Sequence, residues 1–399
     1  MVYFQSHIDT KINKLQKKYT DLTVLVAPLD WGLGHTTRCI PIINSLLAQG
    51  CNVLVAGEKA QIALFEREFP QIKGLRLKGY GIRYPVNGSL FFFKIIQQLP
   101  KILHTIIREN RWLESVVEEE KIDLVIADNR YGLYHKKIPT IFITHQLQLH
   151  LNNTLLERIS QYFLYRWVNR FTSCWVPDMV EGIAGKLSHP HVLPQVPVQY
   201  INLLSRFKKI DTAITYKYCF LISGPEPQRT IFEEMVFELV SEVEEEMVIV
   251  RGILNRQETG DKGPEISFEI HNSNLPSTVY RLPSTIYNHL PTNELAIVLQ
   301  QSEYIVCRGG YTSLMELLVL KKKLIVVPTP GQTEQAYLAE ILMQQNQIFS
   351  VTQKTFNKST LAAASSFNYS FKELIAFKEE DLTVLLEAIY DNNKISLQP

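Results

Sequence analysis

The order of elements between Leu22 and Ala56 constrains this chain more than any other feature. Leu22 to Pro28 is a continuous apolar run, which reads as a strand buried on both faces. Leu29 to His35 is a loop containing two glycines, Gly32 and Gly34. Ile40, Ile43, Leu46 and Leu47 then recur at helical spacing, and Gly50 closes the helix. Asn52 to Ala56 is the next strand. Strand, loop, helix and strand in that order need a crossover, so the two strands lie parallel in one sheet. Lys121 to Ala127 and Thr140 to Thr144 extend the series, and Cys174 to Pro177 reads as a short last strand.

A second series repeats the pattern. Cys219 to Ser223, Met247 to Gly252, Tyr304 to Cys307 and Leu324 to Val327 read as strands. Thr230 to Val243, Thr312 to Leu320 and Glu334 to Gln344 read as helices. Between the two series, Pro190 to Pro197 holds three prolines and little periodicity, and it begins a connection that runs to about Thr215. At roughly 150 residues per domain, a chain of 399 residues fits two α/β domains. The expected division is a polar lead-in over 1–21, a first domain over 22–205, a linker over 206–217 and a second domain over 218–399. The last helix is expected to reach back to the first domain. Such sheets bind ligands beyond the carboxyl ends of their strands, so the loops that follow strands are where chemistry is sought.

Composition narrows the classes. Lys+Arg 41 against Asp+Glu 40 gives a net charge of +1, which argues against a nucleic-acid partner. The five cysteines form no paired spacing, as expected of reduced thiols in a cytoplasmic protein. No secretory leader and no run of about 18 apolar residues is apparent. The expectation is a cytoplasmic protein that sits, at most, at the inner face of a membrane.

Two loops in the second half carry the strongest chemical signal. After the strand ending at Cys307 come Arg308, Gly309, Gly310, Tyr311, Thr312 and Ser313, and a helix begins there. Glycines admit an anion close to the backbone, and a helix start offers it free N–H groups. Glu316 lies one turn later, where a carboxylate can accept from neighbouring ribose hydroxyls. After the next strand, Glu334 and Gln335 open a helix, and an acceptor beside an amide suits adjacent sugar hydroxyls.

In order and context these segments resemble the donor-site signature of GT-B nucleotide-sugar glycosyltransferases. They are similar to the family-28 enzymes, including the lipid II-forming type, and to UDP-glycosyltransferases. Gly32-Leu33-Gly34-His35 matches the glycine-rich loop with a histidine in the same enzymes. Asp128 to Gly132 and Thr144-His145-Gln146 also resemble a branch of predicted glycosyltransferases. The resemblance implies a GT-B fold, two Rossmann-like doubly wound domains facing across a cleft. It implies that Arg308, Gly309, Gly310, Thr312 and Ser313 hold the diphosphate of a UDP-sugar donor, with Gly34 also among the donor-binding residues. Ser223 and Gly224 would form the second phosphate loop, Glu316 would bind ribose, and Glu334 and Gln335 would bind the donor sugar. Pro225 and Pro227 depart from the usual glycine-rich run, and proline cannot donate an N–H. Ala336 stands where the lipid II-forming enzyme has a second glutamine.

An inverting transfer needs a base beside the acceptor hydroxyl. His35 is the first candidate and Asp128 the second, either as base or as the group that orients His35, with His145 third. No Asp-x-Asp sequence closes a strand and no metal cluster is apparent, so metal independence is expected, with no cofactor besides the donor. The acceptor is a small molecule, a glycan or a lipid-linked species, in the setting of cell-envelope polysaccharide or glycolipid synthesis. Residues 90–113 alternate apolar side chains with Lys94, Lys101, Arg108 and Arg111. They read as two short amphipathic helices broken at Pro100, either packed on the sheet or lying in a membrane interface. Leu155 to Phe171 has the same ambiguity. Two other functions stay open: a nucleotide-sugar epimerase or hydrolase on the same fold, and a non-catalytic nucleotide-sugar-binding subunit.

Overall fold

The computed structural model describes residues 19–82, 91–150, 154–253 and 285–392. The first sheet is built by β1 (Thr23–Pro28), β2 (Asn52–Gly57), β3 (Lys73–Arg76), β4 (Leu124–Asp128), β5 (Thr140–Ile143), β6 (Ser173–Val176) and β7 (Val198–Tyr200). Its helices are α1 (Leu33–Ala48), α2 (Lys59–Glu68), α3 (Phe91–Glu119) and α4 (Thr154–Val168). The strand order is β3-β2-β1-β4-β5-β6-β7, and every pairing is parallel. The order reverses between β1 and β4, where Pro28 is in register with Asp128. One face of the sheet packs on Ile43 and Leu46 of α1 and Phe65 of α2. The other packs on Leu113 and Val117 of α3 and Leu164 and Val168 of α4. Two helix layers over an all-parallel sheet explain why β1 and β4 are apolar on both faces.

The second sheet comprises β8 (Tyr216–Leu221), β9 (Met247–Val250), β10 (Thr285–Tyr287), β11 (Ser302–Cys307), β12 (Lys323–Val326) and β13 (Phe349–Ser350). Its order is β10-β9-β8-β11-β12-β13, again parallel throughout. The reversal lies between β8 and β11, with Leu221 opposite Cys307. The helices of this half are α5 (Gln228–Val240), α6 (Thr292–Gln300), α7 (Tyr311–Val319), α8 (Thr333–Gln344), α9 (Lys358–Ser365) and α10 (Glu379–Asn392). α10 returns to the first half: Leu382 and Leu386 join the apolar cluster of α1, and Gln49 Nε2 donates to Thr383 Oγ1 at 2.9 Å. That cluster is continuous from α1 through Ile183 and Leu187 to Leu338 and Leu342 of α8, so the two halves share apolar packing.

Two expectations need correction. Cys174 to Pro177 is not the end of the sheet, because β7 pairs outside it within the proline-rich connection. A three-residue edge strand is too short to show a period. Pro100 does not break residues 90–113 into two helices either: α3 runs unbroken from Phe91 to Glu119 with Pro100 inside it. Its later turns are held by Leu113, Val116 and Val117 against the sheet, which offsets the one backbone hydrogen bond a proline removes. Residue 90 and the side chains of residues 91–96 lie outside the described residues. Among the described residues, no helix is long and apolar enough to cross a membrane.

Candidate active site

Both switch points open on the same cleft. Gly32 precedes α1 with φ 75°, a left-handed conformation that favours glycine. It turns the chain from β1 into α1 so that His35 stands at the helix start. Gly34 faces the second half directly: a Cβ there would lie 3.2 Å from Thr312 Oγ1. The first turns of α1 and α7 therefore meet across the cleft, and glycine permits the close approach.

Asp128, at the end of β4, is fully buried. His35 Nδ1 lies 3.1 Å from its Oδ1. Arg38, one turn further along α1 and 1% exposed, donates Nε to Asp128 Oδ2 at 2.6 Å and Nη2 to Oδ1. Burial by itself would raise the Asp128 carboxyl, but Arg38 and His35 outweigh it and hold the group well below the usual carboxylate range. An ionised Asp128 accepts only, so His35 Nδ1 carries the proton and Nε2 keeps its lone pair. Burial, then the Arg38 charge, lower the His35 pKa from its ordinary 6.5 despite the opposing pull of Asp128. The His35 side chain is 15% exposed, enough for a proton donor to reach it. Asp128 is enclosed with both oxygens engaged, which suits an orienting group rather than a base.

Arg130 braces the same loop. Its Nε donates to the Pro28 carbonyl at 2.7 Å, and its Nη1 pairs with buried Glu109 at 2.7 Å. His145, after β5, joins the two halves. Its Nδ1 is 3.0 Å from Arg38 Nη1, and its Nε2 is 2.9 Å from Glu334 Oε1. Gln146 Nε2 donates to Glu334 Oε2. The His145 ring stacks on Tyr311, 4.1 Å between centroids and 5° between planes, and the Tyr311 hydroxyl donates to the Pro177 carbonyl. Burial opposes ionisation of Glu334, yet His145, His35 and Arg38 together lower its pKa.

The donor-side residues divide. Gly310 is the N-cap of α7, with open space where a Cβ would stand, and Thr312 and Ser313 are half-buried in its first turn. Gly309 backs onto α8, a Cβ there lying 3.3 Å from the Gln335 carbonyl. Gly224, after Ser223, is exposed with φ 115°. These residues can present backbone N–H groups to an anion.

Three of the expected donor-site residues already have partners within the protein. Arg308, at the end of β11, is held by backbone carbonyls and an aromatic ring. It donates Nη1 to the Val327 carbonyl at 3.2 Å and Nη2 to the Gln228 carbonyl at 3.0 Å, and its guanidinium lies 4.2 Å over the Phe232 ring. Burial lowers its pKa to about 10. Glu316 is buried and accepts from Arg206 Nε at 2.9 Å, because an enclosed carboxylate needs a partner. Burial raises its pKa even so. Gln335 closes its own loop: Oε1 accepts from Thr329 N at 2.9 Å and Nε2 donates to Gln332 Oε1 at 2.9 Å. Pro328 and Pro330 supply no N–H there, so the side-chain amide completes the turn. Arg38 and Arg206 were not among the expected residues, and Arg130 and Gln146 lay in the resembling segments without an assigned role.

Residues 263–375 match the Glycosyltransferase family 28 C-terminal domain. Among solved structures, the chain is similar to the spinosyn forosaminyltransferase SpnP, with TM-score 0.57, 13% identity, and coverage of 93% of this chain and 99% of that one. The calicheamicin glycosyltransferase CalG4 gives TM-score 0.57 and 12% identity, over 94% and 99%. SsfS6 from Streptomyces sp. SF2575, solved with thymidine diphosphate, gives TM-score 0.53 and 13% identity, over 92% and 99%. The chain has the GT-B fold of glycosyltransferases. No curated protein matches it by sequence. Within its second half, residues 263–375 are similar to the C-terminal domain of family-28 glycosyltransferases. Gly309 to Ser313, Glu316, Glu334 and Gln335 fall inside the matched residues. The His35, Arg38, Asp128 and His145 network lies outside them, on the first half of the GT-B fold.

Proposed function

We propose that this GT-B protein transfers a sugar from a UDP-sugar to an acceptor held by its first half, with inversion and without a metal ion. One observation carries the reading: His35, oriented by Asp128 at 3.1 Å, stands beside Gly34, which meets Thr312 at the start of the donor-side helix. A base with a free Nε2 thus borders the place where a diphosphate fits. In the transfer, the Nε2 lone pair takes the acceptor hydroxyl proton while that oxygen attacks the anomeric carbon and the bond to the nucleoside diphosphate breaks. The Nδ1 hydrogen bond to Asp128 stabilises the imidazolium that forms. The N–H groups at the α7 start, with Thr312 and Ser313, receive the charge of the departing diphosphate. Glu334 would bind donor-sugar hydroxyls once they replace its contacts to His145 and Gln146.

The lipid surface belongs to the same reading. Leu99, Leu103 and Ile107 form a stripe on α3 and are 45%, 46% and 50% exposed. Ile159, Tyr162 and Phe163 are exposed on α4. Both helices reach one small cluster, through Ile102 and Ile106 of α3 and Trp167 of α4. Apolar stripes of this kind beside Arg111 and Arg158 fit peripheral contact with an anionic membrane and a lipid-linked acceptor.

Calorimetry with UDP, dTDP and their sugars tests the donor. UDP-sugar binding unchanged by EDTA supports the reading. Binding of dTDP alone corrects the nucleotide, and binding of neither overturns the donor site. Co-flotation with vesicles containing phosphatidylglycerol, lost in Leu103→Glu/Phe163→Glu, tests the surface.

A further inference from the structure

Arg38 touches both histidine systems. Through Nε and Nη2 it clamps Asp128, and through Nη1 it reaches His145 Nδ1 at 3.0 Å. A guanidinium has donors only. Nδ1 of His145 must therefore accept, which leaves the ring proton on Nε2, directed at Glu334 Oε1 at 2.9 Å. On the other side, the ionised Asp128 takes the proton of His35 on Nδ1 and leaves Nε2 bare. The two imidazoles thus hold opposite tautomers, and one buried cation sets both.

We propose that Arg38 is a positioning residue that fixes the tautomers of His35 and His145 together, so that the base on the first half and the donor-sugar clamp at Glu334 form one coupled unit. The proposal rests on the glycosyl-transfer reading above for its purpose, and on geometry for its content. Among the described residues, the charged and titratable groups facing the two rings include Asp128 at the end of β4, Arg38 on α1, Tyr311 on α7 and Glu334 on α8, with Cys39 of α1 against Asp128. Of these, Arg38 is the cation. When donor hydroxyls take Glu334, His145 loses its acceptor on Nε2 while Arg38 still donates to its Nδ1, so the Nε2 proton is offered to the incoming sugar.

The test is two-bond ¹H–¹⁵N spectroscopy of the imidazoles in the full chain, assigned through His35→Gln and His145→Gln. In the wild type, His35 is expected with its proton on Nδ1 and His145 with its proton on Nε2 at neutral pH. In Arg38→Met, His145 is expected to average between tautomers, and His35 to stay protonated to higher pH. Arg38→Lys, a point charge without the fork, is expected to release His145 while keeping His35 closer to the wild type. A wild-type His145 with a proton on Nδ1 overturns the proposal, and so does a folded Arg38→Met with both rings unaltered. If Arg38→Met does not fold, the wild-type spectrum and Arg38→Lys decide. Failure of the functional reading looks different: UDP-sugars would not bind in calorimetry, while the opposite tautomers persisted.

Discussion

At the carboxyl end of the first sheet, the loops after β1, β4 and β5 fill the cleft with His35, Arg38, Asp128 and His145, linked side chain to side chain. At the equivalent end of the second sheet, the loop after β11 offers Gly309, Gly310 and the free turn of α7, and its one arginine is turned back to the carbonyls of Val327 and Gln228. The same doubly wound topology thus makes two kinds of site. On the proposed reading, the first would move a proton and needs a pKa set by neighbours, and the second would hold a polyanion through backbone N–H groups. Substitutions in the first half should therefore act on rate, and those on the donor side on stability or affinity.

The widest separation is expected at His35. His35→Ala should lower kcat by about 10²–10⁴-fold, the usual cost of a lost general base, while donor affinity by calorimetry stays near the wild-type value. Asp128→Asn should lose no more than this. A kcat kept in His35→Ala but abolished in Asp128→Asn would move the base to Asp128. Next comes Glu316. Because it is paired with Arg206 at 2.9 Å in a buried setting, Glu316→Ala strands a cation. It should cost about 3–5 kcal/mol in urea unfolding. A fully stable Glu316→Ala with weakened UDP binding would instead restore the ribose role. Arg308→Met is expected to do less, about 1–3 kcal/mol from two lost carbonyl hydrogen bonds, with UDP affinity unchanged. A tenfold loss of affinity there would show that the guanidinium swings to the diphosphate on binding.

Much of the fold was legible because a strand buried on both faces leaves a mark that needs no partner to be read. β1 and β4 appear as largely apolar runs and β11 does so over Tyr304 to Cys307, and Gly50 and the glycines at 309 and 310 mark helix ends. What stayed hidden depends on contacts distant in sequence. Arg38 sits at a helical position where an arginine usually faces water, and only Asp128 and His145 after other strands explain its burial. Arg206 and Glu316 are 110 residues apart. The direction of Arg308 is set by Phe232 and by the carbonyl of Gln228, which no local pattern near Cys307 signals. The α3 helix passes Pro100 because the sheet holds its later turns, a tertiary effect that overrides local propensity. His35 and Asp128 were singled out for a different reason: the chemical requirement of a base at a strand's carboxyl end named the residue types in advance, and the structure brings the two together.

The pH dependence sharpens the comparison with the least perturbation. Burial, followed by the Arg38 charge, lowers the His35 pKa below 6.5 in the folded protein, whereas the unfolded chain takes up that proton near 6.5. Just below pH 6.5, the unfolded state therefore binds more protons at this position than the native state. Stability contributed by His35 is then complete above 6.5 and declines as pH falls beneath it. The same sign governs catalysis: Nε2 stays unprotonated below 6.5, so the acid limb of kcat/KM should lie under that value. Urea unfolding of the wild type and His35→Gln across this range isolates the effect, because Gln does not titrate. The wild type should lose stability relative to His35→Gln as pH falls. Parallel curves would mean that His35 titrates alike in both states, with burial and Arg38 offset by Asp128.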